Sequence, residues 1–140
     1  MSAGRLPPGP ERPNVEALAA FGADPDRGPV TMLNLLKLRP DGGAETYAEY
    51  GLAVAPLLEK VGGRIVHAGG AGAALIGRGD WDLVVLVEYP THRAFLQMIL
   101  SEEYAEIADL RNKGLERTEL HPIYSDDLPM PASGDSPRAP

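Results

Sequence analysis

Apolar and polar positions alternate along the chain with two different periods. Val30–Thr31–Met32–Leu33–Asn34–Leu35–Leu36–Lys37–Leu38 is a mostly apolar run between Pro29 and Pro40, the signature of a strand. Tyr47, Tyr50, Val54, Leu57, Leu58 and Val61 then recur at helical spacing. They predict a helix from about 44 to 61, stopped by Gly62–Gly63. Pro56 lies inside it, and predicts a kink or a break into two pieces. Arg64 to Ala68 reads as a second strand, with Ala73–Ile76 continuing it after a glycine bulge. Asp82 to Tyr89, centred on Leu83–Val87, is a third strand ended by Pro90. Thr91 caps a helix to about Leu100, and Ser101 caps another that carries Glu102 and Glu103 in its first turn. Tyr104, Ile107 and Leu110 mark the inner face of that helix, Gly114 ends it, and Leu115–Tyr124 supplies a fourth strand. A short helix over Val15–Phe21, capped by Asn14, precedes all of these.

Strand, helix, two strands, helix and strand is the order of a ferredoxin-like split βαβ unit. The predicted fold is α+β with a four-stranded antiparallel sheet. In the first strand Met32, Asn34 and Leu36 point one way, and Leu33, Leu35 and Lys37 the other. Both sets are mostly apolar, and the third strand is apolar without alternation. Such strands want cover on both faces, whereas a split βαβ unit places its helices on one. A bare apolar face of several hundred Å² is unusual for a soluble monomer. The expected partner is therefore a second copy, packed through the open sheet face as a homodimer.

Proline sets the boundaries. Pro7, Pro8, Pro10 and Pro13 crowd the start, and Pro129, Pro131, Pro137 and Pro140 the end. Neither end has apolar periodicity, so residues 1–13 and 125–140 are expected to be disordered around one domain at 14–124. The formal charge is −7, without a basic cluster, which disfavours nucleic acid and anionic membranes as partners. No apolar run is long enough to span a bilayer, and Met1–Pro13 lacks the apolar segment of a signal peptide. Cysteine is absent, so thiol catalysis, disulfides and zinc–thiolate sites are excluded. These features predict a cytoplasmic protein.

Candidate chemistry is sparse. Asn34 sits within an apolar strand, where a carboxamide must find partners. It either donates to a substrate carbonyl or developing oxyanion, or makes a structural bond to nearby backbone. His67 is either a general base or a satisfied, half-buried histidine. His92 reads as surface, and His121 as a residue of a pocket mouth or dimer seam. Tyr50 and Tyr104 either donate into a cavity or simply pack. Trp81 is an aromatic wall for a flat ligand or a plug at the sheet end. Arg64 and Arg111 can grip a substrate carboxylate, or pair with acids such as Glu88, Asp109 or Glu119. Lys37 is expected to reach solvent. The histidine spacing suggests no metal, and no cofactor is expected. The Gly69–Gly72 run lacks a phosphate-loop lysine and opens no helix.

Several of these residues form a spaced set. Met32–Lys37, Tyr47, Tyr50, Gly62–Gly63–Arg64, Trp81, Tyr89–Pro90, Ser101, Tyr104 and Arg111 resemble the family called domain of unknown function 1330, over about residues 29–123. The resemblance implies the dimeric α+β barrel superfamily. That superfamily includes cofactor-independent monooxygenases, lactone isomerases, polyketide cyclases and some haem-handling proteins, but the family carries no settled activity. Two expectations follow. One is a cofactor-independent enzyme of isomerase, cyclase or monooxygenase type, acting on a small carbonyl-containing or aromatic molecule, with His67, Asn34 and Tyr104 catalytic and Arg111, Trp81, Tyr50 and Arg64 binding substrate. The other is a dimer that binds a small molecule, or acts as a scaffold, without catalysis.

Overall fold

A computed structural model describes residues 10–127. The chain runs α1 (Val15–Gly22), β1 (Val30–Leu38), α2 (Gly43–Lys60), β2 (Arg64–Gly70), β3 (Leu83–Tyr89), α3 (His92–Ile99), α4 (Glu102–Gly114) and β4 (Leu115–Ile123), followed by a 3-10 turn at Ser125–Asp127. The strands form one antiparallel sheet in the order β2-β3-β1-β4. This is the ferredoxin-like α+β fold. The helix starts are fixed locally, because Asn14, Thr91 and Ser101 each accept a hydrogen bond from a backbone N–H three residues on. Among the described residues no helix is long and apolar enough to cross a membrane.

Pairing assigns every strand residue to a face. Met32 lies opposite Val87, Asn34 opposite Val85 and Leu120, and Leu36 opposite Leu83 and Thr118. These positions face the helices. Val30, Met32, Leu36 and Tyr89 are buried there with Phe21, Tyr50, Leu58, Phe95, Met98, Ile99 and Tyr104. Leu33, Leu35, Val84 and Leu86 occupy the opposite face and are half-buried. Helices α2 and α4 approach closely through glycine. A Cβ on Gly43 would stand 2.7 Å from the Gly114 carbonyl oxygen, and one on Gly114 3.1 Å from that of Gly43. That contact holds the tyrosines of α2 beside α4.

Three expectations need correction, and a fourth is narrowed. Of the kink or break expected at Pro56 the break is absent, since α2 runs through it as one element. Pro56 and Leu52 are exposed, so the carbonyl that the proline ring deprives of its donor can hydrate. Ala73–Ile76 is a loop, since strand pairing ends at Gly70 opposite Leu83. His92 is buried at 3% exposure. Its ring stacks on Phe21 at 3.6 Å, and its nitrogens lie 2.9 Å from the Phe21 carbonyl oxygen and 2.6 Å from the Tyr124 hydroxyl. An apolar partner outside the helix thus draws in a first-turn residue. Lys37 reaches Asp80 at 2.9 Å and Asp82 at 3.7 Å. At the ends, residues 1–9 and 128–140 lie outside the described residues. Pro10–Pro13 lie along a cavity, and Arg27 ties down the final turn through Asp126 at 3.2 Å and Asp127 at 3.0 Å.

Candidate functional site

A cavity of about 530 Å³ opens between the sheet and the helices, within the size range of small-molecule sites. Met32, Asn34, Thr118 and Leu120 form its floor, and Phe95, Met98 and Ile99 of α3 its apolar wall. Tyr104, Ala108 and Arg111 enter from α4, at the spacing that aligns side chains on one helical face. Tyr50 enters from α2, and the segment Pro10–Asn14 borders the opening beside β4. Glu11 accepts a hydrogen bond from the Thr118 backbone N–H at 3.3 Å.

The polar groups gather at the α4 end. The Tyr50 and Tyr104 hydroxyls are 2.8 Å apart and buried. Arg111 donates to Thr118 Oγ1 at 3.2 Å and to Asn34 Oδ1 at 3.4 Å. Because a guanidinium only donates, the Asn34 carbonyl must face it. The Asn34 amide then points at the carbonyl oxygens of Val85 (3.3 Å) and Met32 (3.5 Å). Burial pushes the Tyr50 hydroxyl well above its ordinary pKa, and its neighbour Tyr104 adds to the rise. Burial also raises Tyr47 and Tyr89, and the Arg111 cation opposes the rise in both. These three phenols therefore stay protonated at neutral pH and can donate.

The expected site residues divide into two groups. Asn34, Tyr50, Tyr104 and Arg111 come together at the cavity. The amide donors of Asn34 lie against main-chain carbonyls. His67, Arg64 and Trp81 lie elsewhere. His67 pairs across the sheet with Leu86, placing it on the face away from the cavity, exposed on the edge strand. Arg64 lies 3.0 Å from Glu88, its cross-strand neighbour. Trp81 stacks under the Arg117 guanidinium at 4.4 Å, which makes it part of the sheet end and not of the cavity wall.

Two contributors escape the sequence reading. Glu11 belongs to a proline-rich start without periodicity. Thr118 is one polar residue among several on β4, and only its pairing with Leu36 turns it inward. Glu119 is visible in sequence only as a possible arginine partner. Instead it lies 2.8 Å from His121 Nε2, and the two side chains sit on the helix-free face, opposite Leu35 and Leu33. A polar i, i+2 pair on a strand was the available signal, because such residues share a face. Among the described residues, no three His, Cys, Asp or Glu side chains are grouped to hold a metal.

With the geometry in place, comparison with known proteins bears on kinship. No curated protein matches the chain. A crystal structure of a protein of unknown function from Rhodopseudomonas palustris is 38% identical, covering 83% of this chain and 96% of that one, with a TM-score of 0.74. A protein from Arabidopsis thaliana is 13% identical over 72% of this chain and 99% of its own, at a TM-score of 0.58. An uncharacterised NIPSNAP-like domain protein from Burkholderia xenovorans is 22% identical over 81% and 93%, at 0.50. The last two share the fold. Residues 42–120 match the family described as domain of unknown function (DUF1330), and the chain belongs to that family.

Proposed function

We propose that this protein is a homodimer that binds a small carbonyl-containing or aromatic molecule in the cavity between sheet and helices. The observation that carries the ligand reading is an apolar cavity with a few polar side chains, Tyr50, Tyr104 and Arg111, converging at one end. That combination is the usual build of a small-molecule site. Dimerisation is supported by Leu33, Leu35, Val84 and Leu86 on the helix-free face. Leu75 and Ile76 add apolar surface, at 99% and 96% exposure. A cytoplasmic location is part of the same proposal, in keeping with the absence of cysteine.

Catalysis is a second reading, favoured by the Tyr50–Tyr104 hydroxyl pair that lines the cavity. In this reading Tyr104 serves as proton donor in a cofactor-independent isomerisation, cyclisation or oxygenation. The base is neither His67 nor His121, because both pair with residues of the helix-free face, Leu86 and Leu33. A thermal-shift screen of carbonyl-containing and aromatic compounds tests the cavity, with Leu18→Trp, at a lining position on α1, as the filled control. Compounds that stabilise the wild type but not the variant support binding. Equal shifts in both place the ligand elsewhere. Mass spectrometry of the hits decides the second reading, because conversion that is lost in Tyr104→Phe, with binding retained, makes the protein an enzyme.

A further inference from the structure

We propose that the ligand is an organic monoacid, with its carboxylate held at Arg111 and an apolar body lying toward Phe95 and Met98. This rests on the cavity-binding reading above and narrows its ligand class.

Arg27, Arg64, Arg93 and Arg117 each have a carboxylate within 4.0 Å. Among the described residues Arg12, Arg39, Arg78 and Arg111 have none, and of these four only Arg111 is half-buried, although the chain carries a net charge of −7. The acceptors around Arg111 are neutral, the Thr118 hydroxyl and the Asn34 carbonyl at 3.2 and 3.4 Å, with the Tyr47 hydroxyl beside them. Glu11, at the cavity edge, is engaged by the Thr118 backbone, and Glu119 turns to the other face of the sheet, toward His121.

A half-buried guanidinium facing neutral oxygens keeps most of its hydrogen-bonding and charge capacity. A carboxylate uses both, through short charge-assisted bonds. The tyrosine pair adds a donor. Two hydroxyls share one hydrogen bond at 2.8 Å, so one phenolic proton remains to be given to a third oxygen. Arg12 also borders the cavity but is exposed at its opening, so the inner polar end is rich in donors and carries one positive charge, that of Arg111. One cation balances one anionic group, and the wall of Met32, Phe95, Met98 and Ile99 rewards an apolar body and penalises a second charge.

The experiment is calorimetric titration of the full chain with 3-phenylpropionate and octanoate, each beside its neutral amide. In the wild type the acids should bind at least about tenfold more tightly than the amides, the margin of a charge-assisted over a neutral hydrogen bond. Arg111→Gln should abolish that preference. Asn34→Asp should do the same by presenting a built-in carboxylate to an intact guanidinium. Circular dichroism melting confirms that each variant folds, and the wild-type comparison decides the matter even if neither does. Amides binding as tightly as acids would overturn the inference while leaving the cavity reading standing. A preference that survives in folded variants would also overturn it. If neither acid nor amide binds, the monoacid inference falls, and the library screen separately decides the cavity.

Discussion

The two faces of this sheet are built from the same β1, one residue out of step, and they handle polarity in opposite ways. On the helix face, Asn34 sits among Met32, Leu36 and the α3 wall with each end of its carboxamide partnered. On the other face, Leu33 and Leu35 lie beside Val84 and Leu86, and the charged groups keep to the margins. Lys37 meets Asp80 at one end, and Arg64 meets Glu88 near the far strand. A polar group within a covered apolar layer finds its partners inside the chain, where few waters compete for it. A bare layer can leave its centre purely apolar and reserve charge for the rim, which is the anatomy of an association surface. The first arrangement suits a ligand site and the second a protein partner.

Substitutions on each face should separate these roles. The largest effect is expected on the helix face. Phe95→Ala removes a ring that packs edge-on against Phe21 and Tyr89, and should cost about 3–5 kcal/mol in urea unfolding. A cost under about 1 kcal/mol would mean that the cavity wall is not part of the folding core. Next comes Leu86→Asp on the open face. If that face joins two copies, a charge buried without a partner should weaken dimerisation by about 3 kcal/mol, more than a hundredfold. Sedimentation equilibrium reads this directly, and an unaltered mass distribution would remove the open face as the seam. The smallest effect belongs to the rim. The hydrogen bond from Lys37 holds the Asp80 carboxyl below its ordinary value of 3.8. A depressed folded-state pKa contributes stability above the unfolded value and loses it as pH falls through the folded one. Asp80→Asn, chosen because asparagine tolerates the positive φ of 68° at this position, should therefore lower stability slightly at neutral pH. The loss should shrink at acid pH, as the wild-type carboxyl takes up its proton. An equal loss at neutral and acid pH would assign the effect to backbone or packing.

Much of the architecture was legible in the order of residues. The caps at Asn14, Thr91 and Ser101, the glycine stop after α2, and the apolar strands are short-range signals, and local backbone chemistry reads them directly. The inward stripe of α4 likewise brought Tyr104 forward. The site was legible only in part. Arg111 could be placed at the border of that stripe, but whether an acid would meet it depended on strands distant in sequence. His67 and His121 show the same difficulty. Each is a histidine on a strand, and only the register shows that both face away from the cavity, His67 opposite Leu86 and His121 opposite Leu33. His92 was misplaced because its burial comes from Phe21, 71 residues away.

Periodicity, capping residues and the two-sided apolar strands thus determined the elements, their order and the need to cover a second face. These are properties of neighbouring residues and hold before any long-range contact forms. Tertiary structure alone decided that no carboxylate among the described residues meets Arg111, that Glu11 returns to the edge of β4, and that His67 lies away from the cavity. Each of these depends on which distant segment arrives beside a side chain, and strand pairing and helix packing settle that together.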